Sequence, residues 1–129
     1  LAGMRSDYGA MWSESGLSER EREFVILAVA DEAGSDYEWH QHLTIATNAG
    51  LTDTEISAIV TDDPVALAED EALLVEYARA AVRGSVSDGL HERLAARYDD
   101  STVVAVATIA GSYLGLARFI DALDIEVED

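Results

Sequence analysis

The chain has 129 residues, a length that favours one domain, residues 1–129, with a full hydrophobic core. Apolar residues make up 49 % of it, which argues against wholesale disorder. Eight arginines, no lysine and 26 acidic residues give a net charge of −18, which argues against nucleic-acid and membrane partners. There is no cysteine, so disulfides, thiolate chemistry and cysteine-based metal sites are excluded.

The acidity itself has two interpretations. It is either a solvated surface tuned for solubility or an adaptation to a salt-rich cytosol. At ~1 M salt the Debye length is about 3 Å, so most self-repulsion of so acidic a surface is screened. The absence of lysine beside 26 acids favours a halophilic, cytoplasmic protein, and no signal peptide is visible at the first residues.

Capping signals in the first half of the chain predict three helices. Ser18 with Glu21 three residues later is a capping box before an apolar run, and Gly34 ends that helix. A second helix is predicted from Ser35 or Asp36 to just before Gly50. A third begins at Thr52, which has Glu55 as its box partner.

The second half predicts three more helices, for about six in an all-α fold. After a break at residues 62–64, a long helix is predicted over Val65–Arg83 and ends at Gly84. The next runs from Ser87 to about Tyr98, and the last from Ser101 to about Leu123. Only the tail, residues 125–128, alternates as a strand would. The apolar segment Ser101–Ala117 is short for a membrane span, so we expect a helix buried in a core or a subunit interface.

The segment from Gly34 to Gly50 is the most informative about a possible reaction, because it contains two of the three histidines. Glu38 and His42 are four residues apart and share a helix face, where a carboxylate can orient an imidazole for acid–base work. An exposed ion pair is the simpler interpretation of that spacing. His40 points to nearly the opposite side, so the two histidines cannot bind one metal from a regular helix. We predict no metal site, and we expect His91 to lie on the surface.

Two further clusters carry candidate residues. Arg20, Arg22 and Glu23 precede the first apolar run, and Glu23 shares a stripe with core positions, where a carboxylate must be paired or have a shifted pKa. In the last helix, Tyr113 precedes Arg118, the only charge between residues 100 and 121. Arg118 suits an anion, a buried acid or a subunit contact.

In their order and spacing, these features resemble the carboxymuconolactone decarboxylase family, which includes the alkyl hydroperoxidase D-like proteins. The resemblance covers residues 8–125 and is carried by five segments: LSEREREFVILAVA, YEWHQH, the turn at 48–52, RGSVSD and GSYLGLARFIDAL. It implies an all-α, AhpD-like fold that assembles into homo-oligomers, as trimers or hexamers, with sites near subunit contacts.

The resemblance also separates two branches of that family. The hydroperoxidase branch carries Cys-x-x-Cys-x-x-x-His with a glutamate twelve residues before the first cysteine. Here those positions are Ser35, Glu38, His42 and Glu23, and a serine hydroxyl cannot replace a thiolate in peroxide chemistry. The decarboxylase branch has a glutamate four residues before the histidine, which Glu38 and His42 match, and an arginine that falls on Arg22.

We therefore expect a cofactor-independent, decarboxylase-like carbon–carbon lyase that acts on a small, carboxylated organic molecule. His42 would deliver a proton or stabilise an oxyanion, Glu38 would orient it, and Glu23 would be a reserve acid–base group. The expected substrate-binding residues are Arg22, Arg20, Trp39, Tyr113 and Arg118. The alternative is a non-catalytic helical oligomer that binds a small ligand or a partner protein. An alkyl hydroperoxidase-like antioxidant activity is disfavoured by the absence of cysteine.

Overall fold

The structure is a computed structural model that describes residues 15–127. Within that range the chain forms six α-helices and one short 3-10 turn, and the all-α prediction is confirmed. The helices are α1 (Glu19–Ala33), α2 (Asp36–Asn48), α3 (Asp53–Thr61), α4 (Glu69–Arg83), α5 (Asp88–Arg97) and α6 (Asp100–Ala122). Predictions that involve residues 1–14 and 128–129 lie outside the described residues.

The capping residues place most helix ends where the sequence predicts them. The Ser18 side chain accepts from the backbone N–H of Glu21, and the Glu21 carboxylate accepts from the N–H of Ser18 at 3.0 Å. Thr52 and Glu55 form the same box at the start of α3. Gly34 ends α1 at a φ of 71°, a left-handed conformation that suits glycine because it has no Cβ.

Two helix starts differ from the sequence prediction. The helix expected from Val65 begins at Glu69 instead, because Pro64 starts a 3-10 turn and Leu67 and Ala68 are extended. The cap of α6 is Asp99 rather than Ser101, since its carboxylate accepts from the N–H of Thr102 at 2.9 Å. Residues 125–127 form no strand.

Helix α1 is the centre of the fold and packs against α2, α3, α4 and α6. Every residue of Phe24–Ala30 is at most 1 % exposed. Such a helix is apolar on all sides because neighbours surround it, rather than one core below it. Glu23 immediately precedes this segment and is equally buried, so its carboxylate lies where a charge requires a partner.

Helix α6 has the length and the apolar composition of a membrane-spanning helix. The core helix of a soluble protein meets the same two criteria. One side of α6 packs on α1 and α4 and buries Val106, Ile109, Ala110 and Ala117. The other side is exposed and includes Val104 and Phe119. The helix is therefore half core and half surface.

Arg20 ties α1 to α4, to α3 and to the turn before α3. Its guanidinium donates to Glu71 at 2.7 Å, to the Gly50 carbonyl at 2.6 Å and to Glu55. It also lies over the Phe24 ring, 5.2 Å from the centroid. Hydrogen bonds to Glu71 raise the pKa of Arg20, and those to Glu55 add to the effect against a cost of burial. Arg20 thus acts as a structural cation.

We expect Arg20→Ala to lower the free energy of unfolding by about 2 kcal/mol, because it leaves two partly buried carboxylates without their cation. Chemical denaturation in molar KCl measures the change. Arg93→Ala is the matched control, since the Arg93–Glu76 pair is exposed and should contribute less than about 1 kcal/mol. Equal losses in the two variants would contradict the structural role of Arg20.

Candidate functional site

A buried carboxylate–imidazole pair joins α1 and α2. The tight turn at Gly34 and Ser35 folds α2 back along α1, so Glu23 and His42 meet although 19 residues separate them. Their Oε1 and Nδ1 atoms are 2.7 Å apart. The side chain of Glu23 is 2 % exposed and that of His42 is 12 % exposed. When Glu23 is ionised its carboxylate can only accept, so the bond then places a proton on Nδ1 and leaves Nε2 as the other ring nitrogen.

Glu38 lies in the first turn of α2, one helical turn before His42 and on the same face. It is 2 % exposed, and neither carboxylate oxygen has a hydrogen-bond partner among the described residues. Burial raises the pKa of Glu38 to about 7, an effect that His42 and the Ser35 hydroxyl reduce and that Asp121 increases. Near neutral pH this carboxyl group can therefore both hold and release a proton.

The two aromatic residues predicted for the site, Tyr113 and Trp39, have different surroundings. Tyr113 of α6 meets the His42 ring edge to face, with ring centroids 5.4 Å apart and an interplanar angle of 87°. That contact limits the tilt of the imidazole. Trp39 is partly buried and packs against the hydrophobic core. The structure thus brings Tyr113 into contact with His42, and it gives Trp39 a packing role.

The sequence paired His42 with Glu38, whereas the structure bonds its Nδ1 to Glu23. Spacing along one helix could not reveal this bond, because the partner comes from another helix. A position of Glu23 at the edge of the core was predicted from the apolar stripe of α1, and the structure buries it and pairs it with His42. Asp121 was not predicted at all, and nothing in its spacing marks it as a neighbour of Glu38.

The three arginines that the sequence predicts to bind a substrate contact other groups of the protein. Arg22 donates from Nη1 to the Leu17 carbonyl at 3.1 Å. Arg20 is committed to the structural contacts described above. Arg118 is exposed, 3.6 Å from the Asp121 carboxylate and 3.5 Å from the Ala33 carbonyl. Of the three, Arg118 alone is predominantly solvent-exposed, and it already has an acidic neighbour.

The remaining histidines lie apart from this cluster. His40 is exposed on α2, and His91 is exposed, as predicted, with its Nδ1 3.3 Å from the Tyr77 hydroxyl. Within residues 15–127, no three acidic or histidine side chains are placed to hold a metal ion.

Comparison with known proteins agrees with the fold and the residue pattern. A model of the carboxymuconolactone decarboxylase family matches residues 3–83. This chain belongs to that family. No curated protein matches the sequence significantly.

A crystal structure from Agrobacterium tumefaciens is similar to this chain. It is described as a protein of unknown function and as a candidate AhpD-type antioxidant defence protein. The TM-score is 0.86 at 19 % identity, over 99 % of this chain and 90 % of that one. At this identity the similarity establishes the AhpD-like fold and not an activity. Thiol chemistry of the AhpD type is unavailable to a family member without cysteine.

Glu38 generates a pH-dependence of stability. Because its pKa of about 7 in the folded protein exceeds the ordinary value of 4.5, folding binds a proton and stability falls as the pH rises between these values. We expect wild type, relative to Glu38→Gln, to lose roughly 2–3 kcal/mol between about pH 5 and about pH 8. Chemical denaturation at the two pH values measures it.

Glu55→Gln is the control for this measurement. Burial of Glu55 is outweighed by hydrogen bonds from Thr52 and Arg20, so its pKa is lowered and it stays ionised over this interval. Its stability difference from wild type should therefore be constant. A Glu38→Gln difference that is also constant would contradict the assigned protonation of Glu38.

Proposed function

We propose that this protein is a cofactor-independent enzyme that transfers protons to and from a small organic molecule by general acid–base catalysis. The observation that carries the proposal is the buried Glu23–His42 pair with the buried, unpartnered Glu38 beside it. A purely structural ion pair explains Glu23 and His42. It does not explain a second buried carboxyl group that has no partner and a perturbed pKa.

The contacts suggest a role for each residue. Glu23 holds the imidazole through Nδ1 and Tyr113 packs perpendicular to the ring, so the direction of Nε2 is restricted. His42 then accepts or donates a proton at Nε2. Glu38, with a pKa of about 7, acts as the second acid–base group. This assignment exchanges the roles that the sequence predicted for the two glutamates.

The family name supplies a candidate reaction, the decarboxylation of a carboxylated lactone. The bond between the carboxylate and its carbon breaks, carbon dioxide leaves, and the electron pair moves into the lactone carbonyl as an enolate. A proton from His42 or Glu38 then forms the new C–H bond. The step is redox-neutral, and acid–base side chains suffice for it. This decarboxylase activity, a carbon–carbon lyase reaction, is the more specific version of the proposed acid–base catalysis.

The first test follows the decarboxylation of γ-carboxymuconolactone by the folded protein in molar KCl. We expect His42→Ala to lower kcat by about 10²–10⁴-fold, the usual contribution of a positioned acid or base. Glu23→Gln should lower it less, because the imidazole remains but loses its orientation.

His40→Ala is the matched control, since His40 is exposed on the same helix and should leave the rate unchanged. A rate that survives in His42→Ala would contradict the mechanism and keep the reaction. Folded wild type that does not decarboxylate γ-carboxymuconolactone would contradict the lactone reaction.

We also propose that the chain associates with copies of itself through the exposed side of α6. Between Asp100 and Asp121 this helix carries one charge, Arg118, in a chain of net charge −18. Two such chains repel each other over most of their surfaces, but the exposed side of α6 between these two residues carries no carboxylate. Its exposed positions, spaced to share one side of the helix, are Val104, Thr108, Gly111, Gly115 and Phe119. The two glycines would allow close helix approach.

Phe119→Glu should dissociate this oligomer, because it places a carboxylate on the exposed side of α6 at a residue that is 56 % exposed. Light scattering coupled to size exclusion, in molar KCl, gives the mass. Val65→Glu is the control, since Val65 is 92 % exposed and lies outside α6. A monomeric wild type, or an unchanged mass for Phe119→Glu, would contradict this interface.

One observation favours the non-catalytic alternative. A cavity of about 330 Å³ opens between α3 and α4 and is lined by Ala58, Asp62, Val75, Arg79 and Arg83. Its size suits a small ligand. The buried Arg79 is already bound to Asp31 at 2.9 Å and to the Ile59 carbonyl, so it is less able to bind a ligand.

Salt adaptation and a cytoplasmic location remain predictions from composition.

A further inference from the structure

Three of the described helices begin with the same pattern, a serine or threonine followed three residues later by a glutamate. The pairs are Ser18–Glu21, Ser35–Glu38 and Thr52–Glu55. In a complete capping box the hydroxyl accepts from the backbone N–H of the glutamate, and the glutamate carboxylate accepts from the N–H of the capping residue. The first and third pairs form both bonds. The second pair forms only the bond to the hydroxyl, at 3.3 Å.

The turn between α1 and α2 explains why this capping box stays incomplete. Gly34 ends α1 in a left-handed conformation, and the N–H of Ser35 donates to the Ala30 carbonyl at 2.9 Å. In the other two boxes the equivalent N–H donates to the glutamate carboxylate. Because this N–H is engaged in closing α1, Glu38 cannot use it, and both carboxylate oxygens are buried without a hydrogen bond.

The Ser35 hydroxyl is the donor that remains beside Glu38. It is buried, and it accepts from the Glu38 N–H, so it lies within reach of the Glu38 side chain. Within residues 15–127 its proton is bonded to no other acceptor, and a buried hydroxyl needs one. The Thr52 hydroxyl shows the same double use, because it accepts from the N–H of Glu55 at 3.2 Å and donates to its carboxylate at 3.0 Å.

The other groups around this carboxyl group carry charge but do not donate to it. The imidazole of His42 is bonded through Nδ1 to Glu23 and meets the Tyr113 ring. On α6, the exposed Asp121 lies 3.6 Å from Arg118. Burial raises the pKa of the carboxyl group most, His42 lowers it and Asp121 raises it further. The capping hydroxyl can therefore be removed without changing any of these charges.

From this arrangement we propose that Ser35 is a positioning residue of the candidate site, whose hydroxyl donates to the Glu38 carboxylate when Glu38 is ionised. It stabilises the state in which Glu38 has released its proton. The role rests on the proposed function, in which Glu38 exchanges protons, and it requires no contact between Ser35 and a substrate.

The incomplete box also accounts for the difference between two glutamates at equivalent positions. The burial of Glu55 is outweighed by hydrogen bonds from its capping threonine and from Arg20, so its pKa is lowered. Glu38 lacks both the backbone N–H and an arginine, and burial raises its pKa to about 7. One hydroxyl is then the hydrogen-bond donor on which its ionised form depends.

The test follows the Glu38 carboxyl group directly, by ¹³C NMR of protein labelled at the glutamate side-chain carboxyl and titrated in molar KCl. The resonance is identified by its loss in Glu38→Gln. Ser35→Gly removes the hydroxyl and should fold, because glycine is almost as stable as serine at a helix N-cap. We expect the titration midpoint to rise by about one pH unit, since a donor to the ionised form is lost. Ser35→Thr keeps a hydroxyl and should keep the wild-type midpoint.

Ser87→Gly is the matched control. The Ser87 hydroxyl caps α5 by accepting from the N–H of Leu90 at 3.1 Å, and no glutamate lies three residues later. This variant should therefore leave the Glu38 midpoint unchanged. An unchanged midpoint in Ser35→Gly, an equal rise in Ser87→Gly, or the same rise in Ser35→Thr would overturn the proposal.

The link to the reaction is measured separately, in the pH profile of kcat. The limb that belongs to Glu38 should move to higher pH in Ser35→Gly by the same amount as the NMR midpoint, and Ser87→Gly should keep the wild-type profile. A raised midpoint with an unmoved profile would reject the role of Ser35 in catalysis. Absence of turnover would reject the proposed function, whereas the NMR midpoints still decide whether Ser35 donates to Glu38.

Discussion

The hydrogen bond between Glu23 and His42 is the constraint on which the candidate site depends. Glu23 occupies the last polar position before the fully buried Phe24–Ala30 segment, where an unpartnered carboxylate would be costly. Its partner comes from α2, so the bond forms only because α2 packs along the central helix. When Glu23 is ionised, the same bond places a proton on Nδ1 of the imidazole. One contact thus links the packing of two helices to the orientation of the ring.

The distribution of arginine explains why the site keeps its acidic character. In a chain with eight arginines and 26 acids, positive charge is scarce, and much of it stabilises the fold. Arg20 joins α1 to α4 and to the turn before α3, and Arg79 binds Asp31 and the end of α3. Glu38 receives no such partner. Its pKa therefore rises through burial, and the site acquires a titratable group near neutral pH.

Helix ends were predictable because they are local. A side-chain oxygen at Ser18 or Thr52 bonds to an N–H three residues later, and Gly84 adopts a conformation that its own lack of a side chain permits. The prediction was wrong where a local signal was ambiguous. Pro64 is compatible with a helix start, but the chain makes a 3-10 turn there and then extends through Ala68, so α4 begins at Glu69.

By itself, the sequence determined the all-α class, nearly all the helix ends and the residues that could carry chemistry, because capping, periodicity and residue type act over a few positions. Only the tertiary structure decided which glutamate binds His42, that Tyr113 contacts the ring, and that Arg20 serves the fold. These facts depend on the relative placement of α1, α2, α4 and α6. That placement comes from the packing of many apolar side chains, and no spacing within one helix encodes it.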